Sequence, residues 1–228
     1  MDSRKLCYNW IGNGKQLIMD LESMRKHYQL GTLEVENLIE LPYLQLEAWL
    51  EHAATTSLTE PNAMVLATAG RQGEPSARTV LLKQLDSRGL VWFSHWGSRK
   101  GREINENPWA SVCFSWPLLE RQVVVRGLVH RLSDDDNDRY WKSRPRANQL
   151  GSSSSPQSQP IPSREWLEER IDGLEAAHPG PIPRPRTWGG MRLVPKEWEF
   201  WQGGPGRVHD RFLYQLENDA WKITRLAP

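Results

Sequence analysis

The segment Arg207-Val-His-Asp-Arg211 gathers two arginines, a histidine and an aspartate within five residues. Read as a strand, it places Arg207, His209 and Arg211 on one face and Asp210 on the other, because side chains alternate. Two guanidiniums beside an imidazole suit an anionic, flat heteroaromatic ligand. The aromatic run Trp198-Glu-Phe-Trp-Gln-Gly-Gly204 lies just before it and supplies a matching surface. A single histidine would read as one member of a charged pair network; the paired arginines move the balance towards a site.

Three further groups point to anions. In Arg78-Thr-Val-Leu-Leu-Lys83, strand alternation sends Arg78 one way and Lys83 the other, so the two charges would serve different anions. Taken alone, they read equally as solvated charges on an edge strand. Ser98-Arg99-Lys100-Gly101 stands at an expected helix start, where backbone N–H groups and the helix dipole favour a phosphate; it reads equally as a capped surface helix with two solvated cations. The third group is Tyr140, Arg144, Arg146 and Asn148 around a helix end, with Pro145 stiffening the presentation of the arginines. Alone, it is an ordinary helix terminus whose cations complement the dipole. The sequence has no glycine-rich dinucleotide fingerprint, phosphate loop or nucleophile elbow, and no Cys/His cluster with zinc spacing. Spacing alone therefore gives a phosphate-bearing aromatic ligand and leaves the reaction open.

The elements that must hold these groups are mostly short strands. Leu41–Ser57 has helical periodicity, with Pro42 in its first turn and Leu46, Trp49, Leu50 and Ala53 on one face. Strands are expected at Ala63–Ala69, Ser76–Leu85, Leu90–Trp96, Trp109–Trp116 and Gln122–Leu132, then at Trp188–Val194, Glu197–Gln202, Phe212–Leu216 and Ala220–Arg225. Helices are expected over Ser98–Asn107, from Ser133 to about Lys142, and over Ser163–Ala177. By composition Ser152–Pro162 is a flexible linker and Pro179–Pro185 a stiff extended segment. The fold class is mainly β with flanking helices, and the pattern suggests a closed antiparallel barrel.

At 228 residues one sizeable domain is the natural expectation, over 21–228, with residues 1–20 a poorly ordered extension and Met19 an alternative start. A formal net charge of +1 argues against a nucleic-acid partner, including the reading as an oligonucleotide-binding barrel with aromatic platforms. Most of the twelve tryptophans are read as core. Cys7 and Cys113 have neither disulfide-framework nor metal spacing, so a reducing, cytoplasmic setting is expected. No apolar run approaches the roughly 18 residues of a membrane span, and the start lacks a secretory pattern.

These motifs, in this order, resemble the pyridoxine (pyridoxamine) 5′-phosphate oxidase family. The likeness starts near Met24-Arg-Lys-His-Tyr28 and runs to Pro228. It is sharpest at Arg78–Lys83, Ser98-Arg-Lys100, Glu120-Arg-Gln-Val123, Ser143-Arg-Pro-Arg146, Glu199-Phe-Trp-Gln-Gly203, Arg207–Arg211, Glu217-Asn-Asp-Ala-Trp-Lys and Arg225-Leu-Ala-Pro228. The resemblance implies a homodimer of split β-barrels, antiparallel and of Greek-key type, with FMN at the subunit interface. It implies oxidation of pyridoxamine or pyridoxine 5′-phosphate to pyridoxal 5′-phosphate, with O2 reduced to H2O2. By motif, FMN would meet Arg78, Thr79, Val80, Leu81, Leu82, Lys83, Phe93, Ser94, Arg99, Lys100, Gln122, Gln157, Ser158, Trp201 and Arg211. Gln157 and Ser158 then make the Ser-rich segment an ordered binding loop rather than a linker. Substrate would meet Arg25, Lys26, His27, Tyr28, Lys83, Tyr140, Arg144, Asn148 and Val208, with Arg207 and His209 as catalytic residues over the pyridine ring. Asn148 stands where the family has Ser, and Gly151-Ser-Ser-Ser-Ser-Pro156 lacks the family's apolar residues. Two rivals share the barrel: an FMN oxidase of phenazine biosynthesis and a non-enzymatic flavin- or haem-binding protein. The phosphate anchors Lys83, Tyr140 and Arg144 weigh against the first, and the Arg207/His209 pair against the second.

Overall fold

The computed structural model describes residues 7–11, 14–18, 21, 24 and 27–228. Strands β1 (Cys7–Ile11) and β2 (Gly14–Ile18) pair as a separate two-stranded hairpin. The other nine strands are β3 (Ala63–Ala69), β4 (Pro75–Leu81), β5 (Gln84–Asp86), β6 (Gly89–His95), β7 (Trp109–Trp116), β8 (Arg121–Arg131), β9 (Trp188–Gln202), β10 (Asp210–Glu217) and β11 (Ala220–Leu226). They form one sheet in the order β11-β10-β9-β8-β7-β3-β4, with β6 also on β9 and β5 on β6. Every pairing among them is antiparallel.

β9 is where the barrel splits. Its first half lies between β6 and β8, and its second half between β10 and β8. The sequence reading made it two strands, Trp188–Val194 and Glu197–Gln202; the structure makes it one strand of 15 residues. The register against β8 slips between Arg126 and Gly127, so Pro195 sits at a bulge, where its missing N–H costs no regular ladder bond. The extra residue also reverses the alternation. Met191 and Leu193 face the core before the bulge, and Trp198 and Phe200 after it. Trp201 is thereby turned to the non-core face.

The core fills the barrel with Leu66, Val112, Phe114, Val123, Val125, Trp198, Phe200 and Tyr214, all buried. Helix α1 (Pro42–Ala54) closes it with Leu46, Trp49 and Ala53, the stripe its periodicity gave. Each buried Leu, Val or Phe among these contributes roughly 1.5–3 kcal/mol. Asn218 and Asp219 both take positive φ (48° and 64°), as the two-residue turn between β10 and β11 requires.

Four more helices flank the sheet. In α2 (Arg99–Glu106) the Ser98 side chain caps the first turn, accepting from Gly101 N–H at 3.4 Å. In α3 (Asp134–Ser143) Ser133 does the same for Asp136 N–H at 3.2 Å, and its hydroxyl donates to the Asp136 carboxylate at 2.8 Å. α4 (Arg146–Ser154) takes in the first part of the stretch whose composition reads as linker. Leu150 and Ser154 are buried, and Arg170 of α5 (Arg164–Ala177) donates to the Ser154 carbonyl at 3.1 Å, so packing overrides weak helix propensity. Among the described residues no helix is long and apolar enough to cross a membrane.

Candidate active site

A cleft of about 740 Å³ opens between β4, β6, α2, α3 and the loop after α4, within the ~300–1,000 Å³ usual for small-molecule sites. Its lining includes Arg78, Thr79, Val80, Leu81, Lys83, Phe93, Ser94, Arg99, Lys100, Tyr140, Arg144, Gln157 and Ser158. Thirteen expected site residues from five sequence segments thus meet in one place. The alternation argument for Arg78 and Lys83 fails, however. β4 ends at Leu81 and β5 begins at Gln84, so the strand phase does not carry through, and both cations line the same cleft. Leu82 is buried in the core instead.

Lys100 is buried on the first turn of α2. Its ammonium donates to Ser94 Oγ and Gln157 Oε1, each at 3.1 Å, and lies 3.4 Å from Ser98 Oγ. Burial, then the charge of Arg78, lower its pKa to about 8. These are three neutral acceptors and no carboxylate, which leaves the positive charge for a ligand. Beside it, Arg78 donates to Thr68 Oγ1 at 2.5 Å and to the Leu66 carbonyl at 3.1 Å. Glu103 meets Arg78 at 3.4 Å and Arg99 at 2.8 Å. Burial of the Glu103 carboxyl opposes ionisation, but hydrogen bonds from Ser76, Thr68 and Arg99 outweigh it and hold the pKa at about 2.

A second group surrounds Arg144. Phe93, Tyr140 and Trp188 stack, with Phe93–Tyr140 centroids 3.7 Å apart and Phe93–Trp188 centroids 5.4 Å apart. The Arg144 guanidinium lies 4.6 Å from the Trp188 ring centroid and 5.1 Å from that of Trp141. Its buried Nη1 has no hydrogen-bond partner among the described residues, a costly state that an anionic ligand would relieve. Burial raises the Tyr140 pKa more than the Arg144 charge lowers it, so the phenol stays protonated and able to donate. Asn148 is exposed and outside the cleft lining. Arg146 is directed elsewhere, to the carbonyls of His178 at 2.5 Å and Gly180 at 2.8 Å.

The sequence reading missed Trp188 and His95, which also line the cleft. Nothing local marks Trp188 among twelve tryptophans. His95 accepts from Gly97 N–H at Nδ1 (3.2 Å), which leaves the proton on Nε2, 2.9 Å from Thr187 Oγ1. Burial and then the Lys100 charge lower its pKa.

The remaining expected residues gather elsewhere on the protomer. Gln122, Trp201 and Arg211 are direct cross-strand neighbours on β8, β9 and β10. Arg211 donates to Glu199 at 2.9 Å and to the Ala227 carbonyl at 2.8 Å. Tyr28 packs edge-on to Trp201 (5.7 Å) and His209 (5.5 Å), and its ring lies so close to Gly203 that a Cβ there would meet Cγ at 2.9 Å. His27 is exposed, and Arg25 and Lys26 lie outside the described residues. The single-strand reading of 207–211 is also corrected. Pro205–Arg207 is a 3-10 turn, Arg207 takes φ 64°, and β10 starts only at Asp210. Val208 is 71% exposed. His209 is oriented by the turn, its Nδ1 accepting from Gly204 N–H at 3.1 Å, which leaves Nε2 carrying the proton.

Fold and cleft together define a split-barrel protein whose cleft presents cations beside stacked aromatic rings. The chain belongs to the pyridoxamine 5′-phosphate oxidase family: residues 50–177 match that family, and residues 188–228 match the pyridoxine 5′-phosphate oxidase C-terminal dimerisation region. It is 46% identical to a pyridoxine/pyridoxamine 5′-phosphate oxidase of Cupriavidus pinatubonensis, over 91% of this chain and 99% of that one. Identity to the protein of the same name from Rubrobacter xylanophilus is 48%, over 92% and 97%. Among solved structures, PhzG from Burkholderia lata, in complex with tetrahydrophenazine-1-carboxylic acid, superposes with a TM-score of 0.83 at 33% identity, over 89% of this chain and 100% of that one. An FMN-binding protein from Nostoc punctiforme shares the fold, with a TM-score of 0.66 at 21% identity over 84% and 100%.

Proposed function

We infer that this protein oxidises pyridoxamine 5′-phosphate and pyridoxine 5′-phosphate to pyridoxal 5′-phosphate, with FMN as cofactor and O2 as final acceptor. Curated relatives of nearly equal length carry that name. The observation that carries the reading is one cleft with two cation groups: Arg78 and Arg99 on Glu103 with Lys100 beside them, and Arg144 with Tyr140 against the Phe93–Trp188 stack. Two groups suit two phosphate esters, one on the cofactor and one on the substrate.

The residues fit the cofactor. Lys100, Arg78, Arg99 and the capped start of α2 supply the charge and donors that a ribityl phosphate needs, while Ser94, Gln157 and Ser158 border it. Thr79, Val80 and Leu81 would line the ring, and Gln122, Trp201 and Arg211 would complete the site from the partner protomer. A homodimer is the assembly that the C-terminal dimerisation region supports. In this reading FMN lies between the subunits and residues 21–228 form the single domain. Bound FMN supplies the hydride acceptor and, on reoxidation by O2, yields H2O2.

The protein's part is to bind and orient. Lys83, Tyr140 and Arg144 hold the substrate phosphate, so binding energy remote from the reacting carbon fixes its register. Arg207 and His209, with Val208, cover the substrate ring; the proton on His209 Nε2 makes that edge a donor. His27 and Tyr28, with Arg25 and Lys26 before them, close over the substrate. Asn148, where the family has Ser, lies outside the cleft lining and takes no part in this reading.

Purified protein should be yellow and should bleach when pyridoxamine 5′-phosphate is added without oxygen. A yellow protein that stays coloured would favour a non-enzymatic flavin binder. Bleaching only with a reduced phenazine carboxylate would favour the chemistry of the Burkholderia neighbour. A ligand without phosphate leaves Lys83 and Arg144 without their anion.

A further inference from the structure

Glu103 is a carboxylate set among groups that otherwise attract anions. Its side chain is 12% exposed. Oε1 accepts from Arg99 Nε at 2.8 Å. Oε2 accepts from Ser76 Oγ at 2.5 Å and Thr68 Oγ1 at 2.6 Å, and lies 3.4 Å from Arg78 Nη2. Those partners come from β3, β4 and α2, so one carboxylate joins three elements. Arg99 uses only Nε here, and its two terminal NH2 groups have no partner among the described residues. Arg78 has both terminal nitrogens tied, through Leu66, Thr68, Ser76 and Glu103. Without Glu103, Arg78, Arg99 and Lys100 would be three mutually repelling cations, two of them on flexible stems.

We propose that Glu103 is a positioning residue for the cofactor phosphate: it fixes Arg78 and Arg99 in the geometry that receives a phosphate ester, and so sets the preference of the cleft for FMN over riboflavin. The proposal rests on the FMN reading above. It makes a prediction opposite in sign to simple electrostatics. Removing a negative charge near a phosphate should strengthen phosphate binding if the charge acts only through its field. Removing a buttress should weaken it, because the arginines must then be ordered at the moment of binding.

The test is titration of apoprotein with FMN and, separately, with riboflavin, followed by quenching of flavin fluorescence. Wild type should bind FMN more tightly than riboflavin. Glu103→Gln should raise the FMN Kd roughly tenfold or more, the scale of a charge-assisted hydrogen bond, and leave the riboflavin Kd unchanged. Glu103→Asp, which keeps the charge, should recover part of the loss. Thr68→Val is the second variant. It is nearly isosteric and removes the hydroxyl that links Arg78 to Glu103, so it should lower the FMN-to-riboflavin ratio even if Glu103→Gln fails to fold. Equal or tighter FMN binding by the Gln variant overturns the proposal. Equal loss for both flavins also overturns it, since that marks a general structural role. A wild type that binds neither flavin removes the FMN reading itself and the proposal with it.

Discussion

Replacing Lys100 by Met tests the phosphate end of the cleft through two opposed pH dependences. Burial first, and the neighbouring Arg78 second, take the ammonium from 10.5 to about 8. At about 1.4 kcal/mol per pH unit, that displacement corresponds to about 3 kcal/mol, an upper bound on what the charge costs the folded apoprotein. Below pH 8 the amine is charged in both folded and unfolded states, and the whole penalty is present. Between pH 8 and 10.5 the folded protein has released the proton that the unfolded chain still holds, so stability rises with pH. Above 10.5 the contribution is flat. Lys100→Met should therefore gain most on wild type below pH 8, and the gain should fade by pH 10.5. Loss of the hydrogen bonds to Ser94 and Gln157 shifts the difference curve without changing its slope. FMN affinity moves the other way. A phosphate selects the ammonium, so wild-type affinity should fall as pH rises through about 8, whereas Lys100→Met should bind weakly with no step there. Urea unfolding of both apoproteins and FMN titrations from pH 7 to about pH 10 give both curves. A wild-type-minus-variant stability difference that does not change across this range, or FMN affinity that rises through it, would refute the assignment of the charge.

Lys83→Ala should raise the KM for pyridoxamine 5′-phosphate by the equivalent of about 1–3 kcal/mol, read from steady-state kinetics, with an unchanged KM counting against a phosphate contact. Arg207→Ala should lower turnover per bound flavin far more than flavin content; flavin loss with normal turnover per flavin would contradict its place over the substrate. Trp198→Ala, at a position 1% exposed in the barrel core, should cost about 3–5 kcal/mol and lower Tm, as calorimetry of the apoprotein would show.

Local signals carried much of the architecture. The helix start at Ser98 and the Trp109–Trp116 strand are stated by neighbouring residues, and each is where periodicity and capping chemistry put it. Failures came where distant packing decides. Pro195 looks like a strand end until a bulge in β9 accommodates it. The Ser-rich stretch looks unstructured until Leu150 and Arg170 supply partners for α4. Arg207 looks like one more alternating residue, whereas Gly206 and a positive φ at Arg207 itself make a turn. For the site, spacing marked the cations as anion binders, but only the family resemblance assigned them to cofactor or substrate. Glu103 had no sequence signal, being one of 28 acidic residues whose partners lie at 68, 76, 78 and 99.

β9 also acts as a measuring rod. Thirteen steps separate Trp188 from Trp201, about 43 Å of contour at about 3.3 Å per residue. No side chain spans such a gap, so the two ends of the rod furnish different pockets in the dimer proposed above. A lesion at one end then spoils the wall of one pocket and leaves the other end fit to finish a neighbour's. Two defective copies of the gene, damaged at opposite ends, can between them assemble one sound pocket that neither makes alone.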